Sequence, residues 1–314
     1  MNANQNSKTM NTKILSTQQK DNLAVIQFST IPNNTLPIVT STFALKNNLI
    51  EVKEISEGGS VNELLVLNHS GKFVFLMDGD ILDGAKQNRV MNTSVLLAPQ
   101  SKTKIPVSCV ESGRWDYKSK NFQPTDYVAP VNLRANKSMK VACSLNLKQG
   151  HKSDQREVWD NVSEYSRSLG VTSDSSNLSD VFDGSQNSYQ KFIDSFTHHP
   201  EANGVIFFVN KKPLALDVFN RTDIMNEYFS KLLKGVAMDV YGMKSEAGEM
   251  TEAEASFKAL DFMDALELLE RKAHPGVGLG TENRFNSETV SGFELNYNQE
   301  LVHLTALSLA NKKA

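Results

Sequence analysis

Two polar stretches in the first half of the sequence carry side chains suited to binding a charged ligand. The first, MDGDILDGAKQNR (77–89), holds three aspartates, a lysine, a glutamine and an arginine. The second, IPVSCVESGRW (105–115), ends with an arginine and one of the two tryptophans of the chain. Arginine forks match the geometry of phosphate and carboxylate groups, and an indole ring offers a flat face for a base. These residue types predict a site for a small nucleotide-like ligand, and we expect the two stretches to meet in the fold.

Each polar residue has a predicted role in such a site. Three cations are predicted to contact phosphate, namely Lys86, Arg89 and Arg114. Trp115 is predicted to stack on the base, while Gln87 and Asp80 are predicted to hydrogen-bond ribose hydroxyls. Glu111 is the candidate general base if the site also catalyses a reaction. The residues leave open whether the protein is an enzyme, because they do not form a complete pair of nucleophile and base.

The same residues also support a structural alternative. Arg89 and Arg114 would then pair with Asp83 and Glu111 at the rim of a sheet, and Trp115 would cover the edge of a domain. In that case the protein would be a non-enzymatic interaction module that docks a partner protein.

The carboxylates of the two stretches raise a third alternative, a magnesium-dependent phosphoesterase. Its metal ligands would be Asp80, Asp83 and Glu111. A calcium loop of the EF-hand type does not fit, because its fifth position is Leu82 and its twelfth is Arg89 instead of glutamate. None of the six histidines lies in the first stretch or the second, so no histidine-bound metal is predicted and the residues name no cofactor.

The composition argues against several classes of protein. The 314-residue chain has a formal net charge of −3, which provides no overall positive field for nucleic acid or an anionic membrane. Its two cysteines do not suggest a disulfide scaffold, and Cys109 is predicted to be a buried structural thiol. No apolar run approaches the roughly 18–20 residues needed to cross a bilayer. The polar segment 1–20 is predicted to be a flexible tail without a signal peptide, so we expect a cytoplasmic protein.

The elements that must position these residues indicate an α+β chain with two parts. Residues 21–150 contain short apolar runs separated by turn signals, which predict an antiparallel β-sandwich or a rolled β-barrel. The candidate strands include LAVIQF, PIVTSTFAL, LIEVKEI, ELLVL, KFVFLM, SVLLA, IPVSCV and KVACSL. Residues 151–314 are predicted to form a helical region with a small additional sheet, packed on the β-rich part.

Capping signals predict where two helices of the second part begin. Asp154 and Glu157 form one capping box, and Thr251 and Glu254 form another. The polar segment 171–186 is predicted to be a loop. The apolar runs GVIFFVN and PLALDVF are predicted to form a β-hairpin.

Both polar stretches, together with later segments, resemble a known domain family. DGDILDGAKQNRVMNTSVLLAP and IPVSCVESGRWDY are similar to the domain associated with ADP-ribosylglycohydrolases and with the rhodanese/phosphatase superfamily. GVIFFVNKKPLALDVF, YFSKLLKGVAMDVY and VSGFELNYNQELVHLTAL fit the same family, so the resemblance covers most of the chain from about residue 23.

What the resemblance implies is a metabolic context, because the family is named for its gene neighbourhood. It implies a role in NAD or ADP-ribose metabolism and a functional association with ADP-ribosylglycohydrolase-type enzymes. It assigns no catalytic residue to this sequence. We therefore expect a protein that binds ADP-ribose or a related nucleotide derivative, with processing of that ligand left open.

Overall fold

The computed structural model of the chain describes residues 12–30, 36–246 and 248–309. Its strands are, in chain order, β1 (Thr12–Lys20), β2 (Leu23–Thr30), β3 (Ile38–Thr40), β4 (Ile50–Glu54), β5 (Glu63–Asn68), β6 (Phe73–Leu76), β7 (Asp80–Gly84), β8 (Arg89–Met91), β9 (Val95–Leu97), β10 (Ser101–Cys109), β11 (Phe122–Val128), β12 (Gly204–Val209), β13 (Lys212–Phe219), β14 (Lys272–Pro275), β15 (Thr281–Asn286), β16 (Val290–Tyr297) and β17 (Glu300–Ser308). Its helices are α1 (Ser41–Lys46), α2 (Val131–Asn146), α3 (Gln155–Ser168), α4 (Leu178–Ile193), α5 (Thr222–Val240) and α6 (Glu252–Glu267). The fold is α+β and mainly antiparallel, as the sequence predicts, with a parallel pair formed by β3 and β6.

The largest sheet combines strands from both parts of the chain. Its eight strands lie in the order β1-β2-β12-β13-β17-β16-β15-β14. The N-terminal hairpin joins the later strands where β2 pairs with β12, with Phe28 opposite Gly204. A six-stranded sheet, β11-β7-β8-β10-β5-β4, and a three-stranded sheet, β3-β6-β9, come from the first part alone. Backbone hydrogen bonds of the largest sheet therefore cross the predicted division near residue 150.

Helices cover both faces of the largest sheet, which explains the continuous apolar run in β2. Ala24 and Ile26 pack in one cluster with residues of α6, whereas Leu23 and Val25 pack in another with residues of α4 and α5. Because successive side chains of a strand point to opposite faces, a strand covered on both sides is apolar at every position.

The segment KVACSL, predicted as a strand, is instead the C-terminal part of α2. The buried face of this helix recurs at helical spacing, at Arg134, Lys137, Ser138 and Val141. Three of these four residues are polar, so the apolar period that normally reveals a helix is missing. The strand prediction is wrong for this reason.

The polar segment 171–186, predicted as a loop, contains the first turns of α4. Asn177 caps the helix by accepting a hydrogen bond from the backbone N–H of Ser179. Leu178, Val181 and Phe182 then begin the buried face. Serine, aspartate and asparagine are typical of both loops and helix caps, and here they mark a cap.

Two segments near the N-terminus also differ from the prediction. Within the predicted tail 1–20, Thr12–Lys20 is strand β1 and pairs with β2, while residues 1–11 lie outside the described residues. The run PIVTSTFAL forms β3 and then α1, because the Thr40 side chain accepts from the Phe43 N–H and starts a helix.

A buried group of charges, which we call the interlayer charge cluster, joins the sheets; it consists of Asp78, Arg134, Lys137, Asp217 and His303. Arg134 on α2 donates to Asp217 on β13 at 2.7 and 3.1 Å. Its Nε also donates to Asp78, which follows β6, at 3.2 Å. One guanidinium thus links the largest sheet to the three-stranded sheet. The Lys137 Nζ lies 3.6 Å from Asp78, and the His303 Nε2 lies 3.3 Å from Asp217.

Ion pairing sets the ionisation of the buried acids in and beside this cluster. Burial raises the pKa of Asp217, but Arg134 and His303 outweigh it and bring the pKa to about 2. Burial likewise raises the pKa of Glu282, but Arg284 and His151 outweigh it and bring this pKa to about 2. Both acids therefore stay ionised in the folded protein well below the pH at which they protonate in an unfolded chain.

The fold is expected to lose stability in acid through these two groups. Their folded pKa values lie below the unfolded ones, so their contribution is complete above about pH 5 and disappears as the pH falls toward 2. Between pH 5 and pH 3 the free energy of unfolding should fall by about 3 kcal/mol from Asp217 and Glu282 together. Urea denaturation at several pH values measures this slope. Asp239, whose pKa burial raises to about 6, changes the free energy of unfolding in the opposite sense over this range. A slope between pH 5 and pH 3 that is the same in the parent and in Glu282→Gln would therefore contradict the assignment.

Candidate functional site

The two polar stretches lie side by side in the structure. Strand β8, from the first stretch, pairs antiparallel with β10, from the second, and Arg89 lies opposite Cys109. Beyond the end of β10, the Val110 N–H donates to the carbonyl oxygen of Asn88 at 3.0 Å. The contact between the stretches that a shared site requires is therefore present.

Arg114 ties the second stretch to the first. Its guanidinium makes a bidentate pair with Glu111, with an Nε–Oε1 distance of 2.9 Å and an Nη2–Oε2 distance of 2.6 Å. Nη1 donates to the carbonyl oxygens of Ala85 and Asp116, and Nη2 also donates to the side-chain oxygen of Asn88. All five N–H donors are engaged within the protein. Arg114 thus fixes the start of the segment that follows it, and its predicted contact with phosphate stays a prediction.

The carboxylate of Glu111 is equally engaged. Besides the two bonds from Arg114, it accepts from the Ser175 hydroxyl at 2.7 Å and from the Asn88 N–H at 3.0 Å. Burial raises the pKa of Glu111, but the hydrogen bonds from Arg114, Ser175 and Asn88 outweigh it, so the pKa is lowered. These contacts suit a group that positions its neighbours. The predicted role as general base stays a prediction.

Arg89 and Gln87 lie beneath the surface. Arg89 is fully buried, and its Nη1 donates to both the carbonyl oxygen and the side-chain oxygen of Gln87, at 3.0 and 3.1 Å. Its Nη2 lies 3.4 Å from Oε1 of Glu54. Burial raises the pKa of the neighbouring Cys109 to about 11, so this thiol is neutral and suits the structural role predicted for it.

The ion pairs of the structural alternative form only in part. Glu111 pairs with Arg114 as that alternative predicts, but Arg89 pairs with Glu54 instead of Asp83. The Asp83 carboxylate accepts from the Ser179 hydroxyl at 2.7 Å.

Asp80 belongs to a different neighbourhood from the rest of the predicted site. Its Oδ2 accepts from the hydroxyls of Ser41 and Tyr228, each at 2.8 Å, and from the Met77 N–H at 3.0 Å. These three bonds engage one oxygen of the Asp80 carboxylate, and its predicted contact with ribose stays a prediction. Within the described ranges, no three His, Cys, Asp or Glu side chains are arranged to hold a metal ion. The magnesium alternative stays a prediction.

Lys86 and Trp115 meet at the surface, where Tyr117 joins them. The Lys86 Nζ lies 5.7 Å from the centroid of the Trp115 ring and 5.0 Å from that of the Tyr117 ring. The two aromatic residues are 45% and 49% exposed. We call Lys86, Trp115 and Tyr117 the aromatic–lysine surface. At such a surface an anion can pair with the ammonium, and a flat ring can stack on an accessible aromatic side chain.

A cavity of about 510 Å³ adjoins this surface and shares Tyr117 with it. Its lining residues are Lys53, Glu54, Ser56, Glu57, Tyr117, Lys118, Ser119 and Lys120. This volume lies within the range of about 300–1,000 Å³ typical of small-molecule sites. Its three lysines outnumber its two glutamates, so the lining carries a small excess of positive charge on a chain whose net charge is −3.

A tight turn between β7 and β8 brings Lys86 to the aromatic rings. Gly84 has a φ of 124°, and a Cβ there would lie 2.5 Å from Ser119 Oγ and 2.9 Å from the carbonyl oxygen of Asn121. The close approach and the positive φ both require glycine. Ala85 then donates to Ser119 Oγ at 3.0 Å and accepts from the Lys118 N–H at 2.9 Å. The segment after Trp115 is thereby packed on the turn that carries Lys86.

Sequence reasoning missed Tyr117 and Glu54 as members of this site. Tyr117 is two positions after Trp115 in GRWDY. This spacing of two aromatic residues could have indicated that both belong to the site. Glu54 has no such signal, because it lies on β4, far along the chain from both polar stretches.

A family model for the ARG and Rhodanese-Phosphatase-superfamily-associated Protein domain matches residues 11–307. The chain belongs to this family. The family's name links its domain to ADP-ribosylglycohydrolases and to the rhodanese/phosphatase superfamily, and it implies an association with such proteins. The match includes both polar stretches and the aromatic–lysine surface.

No curated protein and no solved structure matches the chain. Across the described residues, no helix combines the length and the apolar character that crossing a bilayer would require.

Proposed function

We propose that this protein binds ADP-ribose or a related nucleotide derivative at the aromatic–lysine surface. The observation that carries the proposal is the pair of exposed rings around the Lys86 ammonium, beside a cavity with three further lysines. Lys86 contacts phosphate oxygens and Trp115 stacks on the base, in the roles predicted from their residue types. The family name, with its link to ADP-ribosylglycohydrolases, supports a ligand of this class.

In this proposal Arg89 and Arg114 shape the site instead of contacting the ligand. The Arg114 guanidinium donates to Glu111, to Asn88 and to two backbone carbonyl oxygens. Arg89 is buried below Trp115, with the Cζ atom of its guanidinium 5.4 Å from the centroid of the indole ring. Lysine side chains then contact the phosphate. Lysine suits a solvent-accessible surface, because its strongly hydrated ammonium lies at the end of a flexible stem.

Ligand stacking on Trp115 is expected to quench its fluorescence. The chain has two tryptophans, so the variant Trp159→Phe leaves Trp115 as the reporter. Titration with ADP-ribose, NAD and AMP should quench its emission saturably. Thermal unfolding should also shift upward by several degrees, because a ligand at about a hundredfold excess over Kd stabilises the folded state by about 2.7 kcal/mol.

Matched variants separate the proposed site from general charge effects. Lys86→Ala and Trp115→Ala should each weaken ADP-ribose binding about tenfold or more, since each removes one direct contact. Lys102→Ala removes an exposed lysine from β10, outside the surface and the cavity, and should leave binding unchanged. Equal affinity in Lys86→Ala and Lys102→Ala, or no response to any of the three ligands, would refute the proposal.

A second candidate function is that of a non-enzymatic module for a protein partner. It is favoured by apolar side chains in and after α6 that face solvent, among them Phe257 at 70% and Leu268 at 88% exposed. A pull-down with an ADP-ribosylglycohydrolase-type enzyme tests it. Loss of that interaction in Phe257→Ser, together with an absent nucleotide response in the parent protein, would favour this candidate over nucleotide binding.

A further inference from the structure

Helix α6 carries apolar side chains on two opposite faces. Its inner face packs on strands of the largest sheet through Ala255, Ala259, Phe262, Met263 and Leu266. Its outer face and the residue that caps it expose Phe257 at 70%, Leu260 at 41% and Leu268 at 88%. Spacings of three and eight positions place these three side chains on one side of the helix. Because the inner face already holds the helix on the sheet, the fold does not require an apolar outer face.

Acidic side chains surround these exposed apolar residues. Segment 251–270 contains six acidic residues and one lysine, a net charge of −5, whereas the whole chain carries −3. By its helical position Asp264 lies between Leu260 and Leu268 on the outer face, and Asp261 flanks it. Both aspartates are exposed and form no ion pair among the described residues. We call Phe257, Leu260, Asp261, Asp264 and Leu268 the α6 outer stripe.

The charge of the α6 outer stripe limits what can cover its apolar side chains. Anionic membranes and nucleic acids would be repelled by it. A second copy of the chain would bring the acidic residues of two helices together, which is unfavourable. A small ligand would lack a concave site, because the outside of a helix is convex. A helix of a partner protein with an apolar face flanked by lysine or arginine satisfies both the apolar and the acidic residues.

The dimensions of the stripe fit a short helix as its partner. From Phe257 to Leu268 the stripe is about 16 Å long, at a rise of 1.5 Å per residue, so about three turns of a partner helix would cover it. A bound helix would also cover the Asp264 carboxylate and would have to supply it with a cation. One polar position within an apolar helix interface fixes the register of the two helices.

We infer that the α6 outer stripe binds a basic amphipathic helix of a partner protein, with lysine or arginine placed against Asp264 and Asp261. This inference rests on the second candidate function, that of a module for a protein partner, and adds the chemistry of that partner. The nucleotide site proposed above does not enter into it, because α6 and the aromatic–lysine surface share no residue.

The test uses two labelled helical peptides that differ only in charge. Each has about 18 residues, long enough to form a helix, with leucine at helical spacing on one face. One peptide carries lysine on both flanks of the leucine face, and the other carries glutamate at the same positions. Fluorescence anisotropy should show that the parent protein binds the basic peptide about tenfold or more tightly than the acidic one. Added salt should weaken binding of the basic peptide.

Matched variants locate the binding on the α6 outer stripe. Phe257→Ser and Asp264→Lys should each weaken binding of the basic peptide about tenfold. Phe43→Ser changes an exposed phenylalanine on α1, and Asp160→Lys makes the same charge change on α3; both should bind as the parent does. All four positions are exposed, so thermal unfolding should stay close to that of the parent and show that each variant is folded.

Three results in these titrations would overturn the inference. They are absence of binding of the basic peptide, equal binding of both peptides by the parent, and equal affinity in Phe257→Ser and Phe43→Ser. Analytical ultracentrifugation adds a fourth, a dimer of the parent that Phe257→Ser dissociates, because a second copy would then occupy the stripe.

A pull-down separates the inference from the function on which it rests. If the parent, Phe257→Ser and Asp264→Lys capture an ADP-ribosylglycohydrolase-type enzyme equally well, the module function stands and the inference about the stripe fails. If the parent captures no such enzyme but binds the basic peptide through the stripe, that enzyme is not the partner and the inference stands.

Discussion

Arg134→Met is expected to lower the free energy of unfolding by about 3–5 kcal/mol, the cost of removing one partner from a buried ion pair. Arg134 neutralises two carboxylates at once, Asp78 and Asp217, and all three side chains are buried. Methionine has a similar length but no charge, so both acids would remain in the interior, with Lys137 and His303 as their remaining ionic partners among the described residues. Urea denaturation at pH 7 measures the loss.

A matched control distinguishes this effect from the replacement of any helix arginine. Arg156→Met changes an exposed arginine on α3 and should stay within about 0.5 kcal/mol of the parent. Combining Arg134→Met with Asp217→Asn removes one of the two unpaired buried carboxylates. The double variant should recover part of the lost free energy of unfolding. A stability of Arg134→Met equal to that of the control would mean that the interlayer charge cluster does not hold the sheets together.

Glu111→Ala should destabilise the fold by about 3 kcal/mol and abolish nucleotide binding. The substitution leaves Arg114, Ser175 and the Asn88 N–H without their shared acceptor. Arg114 then no longer holds the segment that carries Trp115 and Tyr117, so the two rings lose their fixed position beside Lys86. Thermal unfolding and the fluorescence titration with ADP-ribose measure the two effects on one sample. Glu288→Ala, which removes an exposed glutamate, is the control and should change neither.

The conservative variant Glu111→Gln separates positioning from catalysis. Glutamine keeps the length of the side chain and one acceptor oxygen, so it should retain part of the stability and part of the binding. If ADP-ribose is also processed and Glu111 is the general base, product formation should stop in Glu111→Gln while binding persists. Full binding and full stability in Glu111→Ala would exclude both roles.

An ion pair between residues close in sequence was easier to predict than a contact between distant segments. Glu111 and Arg114 are three positions apart, and their ion pair was predicted as one alternative and is present. The partner of Arg89 was assigned to the nearby Asp83, because sequence distance was the available guide. In the structure Arg89 pairs with Glu54. The two residues come close because β8, which begins at Arg89, and β4, which ends at Glu54, belong to one sheet in which β10 and β5 lie between them. Such a contact depends on the order of strands, which local patterns do not contain.

The same limit explains the elements that were missed. Short apolar runs between turns correctly indicated an antiparallel α+β fold, because that signal is local. Helix α2 was missed because its buried face carries Arg134, Lys137 and Ser138. Arg134 and Lys137 can be buried because they pair with acids on other elements, Asp78 after β6 and Asp217 on β13. The Ser138 hydroxyl accepts from Ser291 on β16. A buried polar face cannot be predicted from one segment alone, because its burial depends on partners that are distant in sequence.

The order of the strands in the largest sheet also has a consequence for how the chain is made. Strand β2 is synthesised early, yet its neighbour β12 and the further strands of that sheet leave the ribosome much later. Until then one edge of the N-terminal hairpin, rich in apolar side chains, stays unpaired and open to wrong partners. The chain therefore depends on delayed, long-range pairing to complete its fold, and a chaperone that shields the hairpin during synthesis would protect the step most exposed to aggregation.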